Sequence, residues 1–332
     1  MKAKTKRNLL VILADKNYVE QAKQLFSSVY FNAGWKGDYM LFAYKIPEKE
    51  LKWFRKKGIL VKKCKPLSHK DFSRWPASTL SKFYLFTPEF KKWKNIVYLD
   101  ADIIVRASLD KLTKIKGLAA FGTWKLSKHF LNPIHIKLEK IDRNILNRLK
   151  KDYNLNEISF NTGVMAFSTD LIEKDTFSKL KKLFELYNKI NAVAEGSIIN
   201  LMFYKKWKKL PFVYNVGPDH LINFNNVESE KIRGIILHFL GSKPWNTTNY
   251  FYREWKSNLK RAELINLKKI QNAKIWTKKE IEEYSLYLEN MRKCYSYKYT
   301  FFKIKLFIDR HIGLLGIFLK NNFPKLYYFL KK

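Results

Sequence analysis

The first part of the chain alternates short apolar runs with amphipathic stretches. Apolar runs that predict strands lie at residues 9–13, 39–43, 59–61 and 96–99. Amphipathic stretches that predict helices lie between them, at residues 18–31, 48–57 and 78–86. Strands that alternate with helices predict an α/β fold, in which helices flank both faces of a mostly parallel central sheet.

Ligands of such sheets bind outside the carboxyl ends of the strands. Residues 14–18 follow the first predicted strand, and Asp100 and Asp102 follow the strand at 96–99. The pattern therefore predicts a ligand site at this edge of the sheet. Residues 111–157 have no regular apolar period, and we expect them to form loops and short helices above the site.

The sequence Asp100-Ala101-Asp102 places two carboxylates two residues apart, between apolar runs. In an extended chain such residues point to the same side, where their charges repel unless a cation lies between them. Hard divalent cations that prefer oxygen ligands, Mg²⁺ or Mn²⁺, meet this need. The alternative is that the aspartates only end a strand, because Asp is common in turns.

Two later segments offer partners for these carboxylates. An apolar run at 160–167 is interrupted by polar residues that begin at Asn161, and a further apolar run leads to His238, Gly241 and Lys243. A neutral imidazole suits Mn²⁺ better than Mg²⁺. Glycine lets the backbone approach a ligand closely, and lysine is a point charge that can meet a phosphate. Taken alone, a histidine such as His238 is more often a buried structural residue than a ligand.

Four segments of the chain resemble, in order, those of glycosyltransferase family 8, the group of glycogenin and the bacterial lipopolysaccharide galactosyl- and glucosyltransferases. They are residues 10–18 (LVILADKNY), 98–102 (YLDAD), 160–164 (FNTGV) and 238–245 (HFLGSKPW). The resemblance covers residues 8–250. It implies a GT-A-type nucleotide-binding domain and retaining transfer of a hexose, glucose or galactose, from a UDP-sugar.

The resemblance also implies roles for individual residues. The expected metal is Mn²⁺, with Mg²⁺ as the alternative, and its ligands are Asp100, Asp102 and His238. The residues expected to contact the nucleotide sugar are Ala14, Asp15, Asn17, Tyr18, Lys82, Asp100, Ala101, Gly241 and Lys243. The residues expected to act on the sugar or the leaving group are Glu195, Lys243 and Asn161.

The chain departs from the family pattern in two places. Where the family usually has an Asp-Gln pair, this sequence has Glu195-Gly196, so the acid is one methylene longer and the amide is lost. The closing loop has one residue, Ser242, between Gly241 and Lys243, where two are usual. Because the amide is missing, we favour a front-face reaction that needs no enzyme nucleophile over a double displacement through Glu195.

Positive charge dominates the composition, with 65 Lys and Arg against 29 Asp and Glu and a formal net charge of +36. Such a surface attracts polyanions, either nucleic acid or an anionic membrane. Residues 291–332 contain ten Lys or Arg and one acid among many aromatic and aliphatic residues. This mixture predicts an interfacial membrane segment, and the alternative is a helix pair that packs on its own domain.

The sequence thus predicts a catalytic domain at 1–250 and a basic helical region at 251–332. Cys64 and Cys294 are far apart and form no metal-binding pair, and the apolar run at 9–13 is too short for a signal peptide. We therefore expect a cytoplasmic protein, peripheral at the membrane.

The acceptor is expected to be a saccharide, a lipid-linked glycan or a protein, and no feature assigns an oligomeric state. Two other functions stay open. A basic protein could bind nucleic acid and use the aspartates as a nuclease or polymerase metal pair, although such sites have more clustered carboxylates. Alternatively, the domain could bind a nucleotide sugar without turnover, because Gly196 replaces the family's amide.

Overall fold

The computed structural model describes residues 7–68, 75–131 and 141–293. Its nine strands are β1 Leu9–Asp15, β2 Asp38–Tyr44, β3 Leu60–Lys63, β4 Asn95–Leu99, β5 Ile103–Val105, β6 Leu118–Lys125, β7 Ile158–Ser168, β8 Trp207–Lys209 and β9 Ile236–His238. Seven of them form one sheet in the order β3-β2-β1-β4-β7-β6-β8, and β5 pairs with β9 in a second, two-stranded sheet. Within the described ranges, β7 alone runs opposite to its neighbours in the large sheet.

The helices of the described ranges flank this sheet. They are α1 Val19–Ser28, α2 Glu48–Lys56, α3 Arg143–Asp152, α4 Thr176–Tyr187, α5 Ala194–Met202, α6 Pro218–Asn225, α7 Tyr252–Arg261 and a helix, α8, whose described part is 278–293. None of them combines the length and the hydropathy that a bilayer crossing needs. The predicted fold class, a mostly parallel sheet between layers of helices, is confirmed.

The two hydrophobic cores follow from the alternation of side chains along the central strands. Leu10 and Ile12 of β1 belong to the cluster on one face of the sheet, whereas Leu9 and Val11 belong to the cluster on the other face. All four side chains are inaccessible to solvent. A continuous apolar run such as β1 is typical of a strand covered on both faces.

Two segments differ from the sequence-based expectation. Residues 77–86, within which we predicted a helix at 78–86, form a 3₁₀ helix that buries Ala77, Leu80, Phe83 and Phe86. Their three-residue spacing aligns them on one face of a helix with three residues per turn. The second difference is β6, which lies inside the segment that we expected to be irregular and pairs with both β7 and β8. The first five residues of β6 are apolar or glycine and all buried, so the sequence shows no alternation of polar and apolar residues. Only the pairing with its neighbours identifies this segment as a strand.

The described residues beyond 250 pack against the sheet-bearing part of the chain. Phe251 and Trp255 of the α7 region and Leu288 of α8 are buried in the same cluster as Leu10 of β1. The proposed boundary near residue 250 stays a prediction. Most of the basic segment 291–332 lies outside the described residues, which end at Lys293.

Candidate active site

Pairing between the short strands β5 and β9 brings distant parts of the sequence to the carboxyl end of β4. In this ladder Ile103 lies opposite His238. The backbone N–H of Phe239 donates to the carbonyl of Asp102 (3.0 Å), and that of Asp100 donates to the carbonyl of Gly163 (2.8 Å). The Asp-Ala-Asp turn is therefore fixed by backbone hydrogen bonds to both of the later segments that the sequence indicated.

The side chains of Asp100, Asp102 and His238 form a group that could hold a metal ion, because their ligand atoms lie within 4.8 Å of one another. His238 is buried, and its Nδ1 lies 2.9 Å from the Oδ1 of Asn215. Its Nε2 has no hydrogen-bond partner among the described residues, although Asp102 Oδ1 lies 3.2 Å away. A buried ring nitrogen without a partner, next to two carboxylates, is a group that could bind a metal ion.

Two asparagines fix which nitrogen of His238 carries the proton. The backbone N–H of Gly163 donates to Asn161 Oδ1 (2.8 Å), so this atom must be the amide oxygen. Asn215 Nδ2 donates to the same oxygen (3.2 Å), which turns Asn215 Oδ1 toward His238. Nδ1 is then the protonated nitrogen, and the lone pair of Nε2 is directed at the carboxylates.

Gly163 keeps this group open. A Cβ atom at this position would lie 2.3 Å from Cε1 of His238 and 2.7 Å from Oδ2 of Asp100. Both distances are far below van der Waals contact, so any side chain at position 163 would displace two of the three candidate ligands. Glycine in the 160–164 segment is therefore required by packing around the site.

Lys243 forms an ion pair with the second carboxylate. Its Nζ lies 2.7 Å from Asp102 Oδ2 and also donates to the carbonyl of Phe239 (2.5 Å). Burial by itself raises the pKa of Asp102, but opposing interactions, among them the ion pair with Lys243, hold that pKa below its ordinary value. Asp102 is thus kept as a carboxylate, the form that binds a cation.

Lys82 connects the first carboxylate with Glu195. It is buried, and its Nζ lies 2.9 Å from Asp100 Oδ1 and 2.7 Å from Glu195 Oε1. Burial lowers the pKa of Lys82, but the two carboxylates raise it above the ordinary value, so the ammonium stays charged. Tyr98 donates a further hydrogen bond to Asp100 Oδ1 (2.6 Å), and Thr162 donates to Glu195 Oε1 (3.3 Å).

The residues expected to bind the nucleotide surround the end of β1. The carboxylate of Asp15 accepts from the backbone N–H of Asn17 (2.8 Å) and starts the short 3₁₀ turn Lys16–Tyr18. The Tyr18 ring meets the edge of Trp245 with centroids 5.7 Å apart. The pKa of Tyr18 is raised mainly by burial, and the charges of Lys243, Asp102, Asp15 and Asp100 also act on it. The Tyr18 hydroxyl therefore lies close enough to Asp100 and Asp102 for their charges to act on it.

The remaining predicted residues supply small side chains or backbone. Ala14 and Ala101 are buried at the ends of β1 and β4. Gly241 lies in the exposed loop after β9, and a Cβ there would lie 2.9 Å from Asp219 Oδ2. Sequence reasoning missed Asn215 and Asp219, because neither belongs to a recognisable pattern. Tyr98 stood inside the 98–102 segment without an assigned role.

Comparison with known proteins agrees with this architecture. The sequence model of Glycosyl transferase family 8 matches residues 9–249. The chain is 27% identical to "Glycosyltransferase GlyB" of Streptococcus pneumoniae serotype 4 over 206 residues, which are 55% of this chain and 45% of GlyB. It is 24% identical to "Galactinol synthase 4" of Arabidopsis thaliana over 214 residues, which are 61% of this chain and 62% of that protein. The chain thus spans 45% and 62% of the length of these two curated relatives.

A solved structure shares the fold. The galactosyltransferase LgtC in complex with donor and acceptor sugar analogues superimposes with a TM-score of 0.55 and 15% sequence identity, covering 76% of this chain and 95% of LgtC. At this low sequence identity the comparison shows a shared fold and no more, and that fold is of the GT-A type. Because the family model covers most of the described chain, including all four segments of the site, the chain belongs to glycosyltransferase family 8.

Proposed function

We propose that this chain is a metal-dependent, retaining glycosyltransferase that moves a hexose from a UDP-sugar to a hydroxyl acceptor. The observation that carries the proposal is the group of Asp100, Asp102 and His238 at the carboxyl end of β4, with Lys243 beside it. Membership of family 8 supports glycosyl transfer as the class of reaction. Glucose and galactose remain equal candidates for the sugar.

Asp100, Asp102 and His238 fit a divalent cation, because the lone pair of His238 Nε2 is buried, has no partner among the described residues and faces two carboxylates. Asp100, Asp102 and His238 would hold Mn²⁺, which accepts imidazole more readily than the alternative, Mg²⁺. Such an ion supplies Lewis-acid stabilisation of the charge that builds on the leaving diphosphate. Asn215 would act as a positioning residue that holds His238 in the tautomer able to bind the ion.

The chain's own charges complete the environment of the leaving group. Lys243 is partly exposed, so its ammonium can meet a diphosphate while it stays beside Asp102. A cation already in place costs no reorganisation when negative charge develops. Tyr18, Asp15 and Asn17 would bind the nucleoside at the end of β1, since an aromatic ring can stack on a base. Asn161 is partly exposed, and its Nδ2 is the group that we expect to bind a sugar hydroxyl.

Glu195 is better suited to orient the sugar than to attack it. Its carboxylate is buried and bound to Lys82 and Thr162, so a nucleophilic role would require it to leave both partners. We therefore favour a front-face reaction. The bond between the anomeric carbon and the diphosphate oxygen breaks, and the acceptor oxygen forms the new bond on the same face. The acceptor proton passes to the leaving diphosphate, which departs as UDP.

The basic C-terminal segment would attach the enzyme to an anionic membrane surface. The argument rests on the ten basic residues and the aromatic residues of 291–332, since each Lys or Arg near such a surface contributes about 1 kcal/mol of binding free energy. A glycan or lipid-linked acceptor at that surface would then lie close to the active site. Nucleic-acid binding is the less favoured explanation of the charge, because the metal group contains two carboxylates rather than a larger cluster.

The donor and the metal role can be tested together. We expect the protein to hydrolyse UDP-glucose or UDP-galactose slowly in Mn²⁺, and Asp102→Asn to lower that rate about a hundredfold or more, because a charged ligand is lost. The matched control is Asp110→Asn, an exposed acid at the start of a 3₁₀ turn, which should keep the wild-type rate. Unchanged hydrolysis and UDP affinity in Asp102→Asn would refute the metal role. A thermal shift with oligonucleotide but not with UDP and Mn²⁺ would favour the nucleic-acid alternative.

Asn215→Ala tests the positioning of His238. Without its amide, His238 can adopt the other tautomer, and we expect the affinity for Mn²⁺ in the presence of UDP to fall about 10- to 100-fold. Asn215→Asp keeps an acceptor for Nδ1 but loses the donor to Asn161, so it should retain more of that affinity than Asn215→Ala. Asn258→Ala, a buried asparagine on α7, controls for loss of a buried amide. Equal Mn²⁺ affinity in wild type and Asn215→Ala, measured by titration calorimetry, would mean that the contact is only structural.

Glu195→Gln separates the two routes of retention. In the front-face route Glu195 only orients the sugar, so we expect transfer to fall by less than about a hundredfold, whereas loss of a true nucleophile costs far more. Affinity for UDP should not change. Mass spectrometry of the intact wild-type protein after incubation with a UDP-sugar provides the second readout. A covalent glycosyl adduct on Glu195 would establish double displacement instead.

A chain that ends at Lys293 tests membrane attachment. It keeps α8 as far as it is described, including Met291, whose carbonyl accepts from Asn225 (3.1 Å). We expect it to hydrolyse UDP-sugar at the wild-type rate. It should lose binding to phosphatidylserine vesicles, because the basic residues after position 293 are absent. Binding of the full-length chain should weaken with salt. If the full-length chain ignores these vesicles at low salt, the membrane proposal is wrong.

A further inference from the structure

A cavity with aromatic walls lies next to the metal-ligand group and has no role so far. Asn161 and Asn215 form part of its wall, and Asn215 in turn contacts His238. Phe121 and Phe212 stand side by side in it with ring centroids 4.4 Å apart. Trp124, which is 44% exposed, also lines it. Rigid aromatic walls with a few polar groups are typical of a small-molecule subsite.

The order of strands separates this cavity from the proposed nucleotide site. The nucleotide residues follow β1, whereas Phe121 belongs to β6, and β4 and β7 lie between these two strands. Leu240, from the loop that carries Lys243, also lines the cavity and is 48% exposed. The cavity therefore reaches the metal group from the side opposite the nucleoside, which is where a second substrate must approach.

Arg292 is the charged residue that sets this cavity apart. It belongs to α8, and its guanidinium donates to the carbonyls of Gly122 (Nη1, 3.0 Å) and Thr123 (Nη2). Its Cζ lies 5.4 Å from the centre of the Phe121 ring. The guanidinium is therefore held in one place by β6 and presented to the cavity.

No carboxylate neutralises Arg292 in the part of the chain that the structure describes. The acid nearest to it along α8, Glu289, is bound instead to Lys209 (2.6 Å). Burial is the main cause that lowers the pKa of Arg292, and the charge of Glu289 acts in the opposite direction as the second cause. A guanidinium has five N–H donors, and the two contacts of Arg292 with β6 leave others available to an anion.

We propose that this cavity is the acceptor subsite and that Arg292 selects an acceptor with an anionic group, a phosphate or a carboxylate, beside an apolar or sugar surface. The aromatic walls would cover that surface, and the planar guanidinium would bind two oxygens of the anion. This inference rests on the proposed function, since it names the class of the second substrate for the same site.

The test measures binding rather than turnover, with the full-length protein in UDP and Mn²⁺. Three probes share an octyl chain: octyl phosphate, octyl β-D-glucuronide and the neutral octyl β-D-glucoside. We expect one or both anionic probes to bind more tightly than the glucoside. Arg292→Gln should weaken the preferred anionic probe about tenfold, the usual worth of a charge-assisted hydrogen bond, and change the glucoside less than about twofold. Whichever anionic probe responds identifies phosphate or carboxylate as the group.

Two further variants keep the test specific. Arg253→Gln removes the same charge from an exposed position on α7 and should leave all three affinities unchanged, which controls for general attraction to a basic protein. Trp124→Ala, at an exposed position, should weaken all three probes because it removes an aromatic wall without emptying the core.

The outcomes distinguish this inference from the proposed function. If wild type hydrolyses a UDP-sugar but Arg292→Gln keeps the wild-type preference among the probes, the anionic-acceptor inference is wrong and the proposed function stands. Equal weakening of all three probes by Arg292→Gln, or none by Trp124→Ala, would also overturn the inference. If wild type hydrolyses no UDP-sugar in any divalent metal, the proposed function itself fails.

Discussion

The site depends on how the chain tolerates two carboxylates side by side at the end of a buried strand. Asp100 is compensated by Lys82 and by the hydroxyl of Tyr98, and Asp102 by Lys243. Each aspartate thus has its own cation, and one carboxylate oxygen of the pair still faces the imidazole.

Lys82 gives the arrangement a second consequence. Because it bridges Asp100 and Glu195, the metal-ligand group and the proposed sugar-orienting acid share one buried ammonium. The Glu195 carboxylate reaches Lys82 at 2.7 Å, and a Cβ atom at Gly196 would come no nearer than 3.4 Å to the hydroxyl of Thr162. The departure from the family pattern is therefore compatible with an intact ion-pair network, which argues against a domain that has lost its site.

A series of hydrogen bonds explains why a glycine and two asparagines lie next to His238. The N–H of Gly163 orients Asn161, Asn161 orients Asn215, and Asn215 sets the tautomer of His238. Each step is an ordinary hydrogen bond, yet the sequence of steps leaves only one nitrogen free for an ion. The same two amides line the aromatic cavity, so the metal group and the proposed acceptor subsite share a wall.

The sequence by itself determined the α/β class, and it indicated the segments that meet at the carboxyl end of β4. It could do so because strand and helix periods, an Asp-Ala-Asp turn and glycine requirements are local properties. Tertiary structure decided what depends on side chains distant in sequence. The strand β6, the ion pairs of Lys82, the placement of Asn215 beside His238 and the position of Arg292 over Phe121 all arise from such contacts. No local pattern marks them, because each needs a partner that only folding brings within hydrogen-bonding or van der Waals distance.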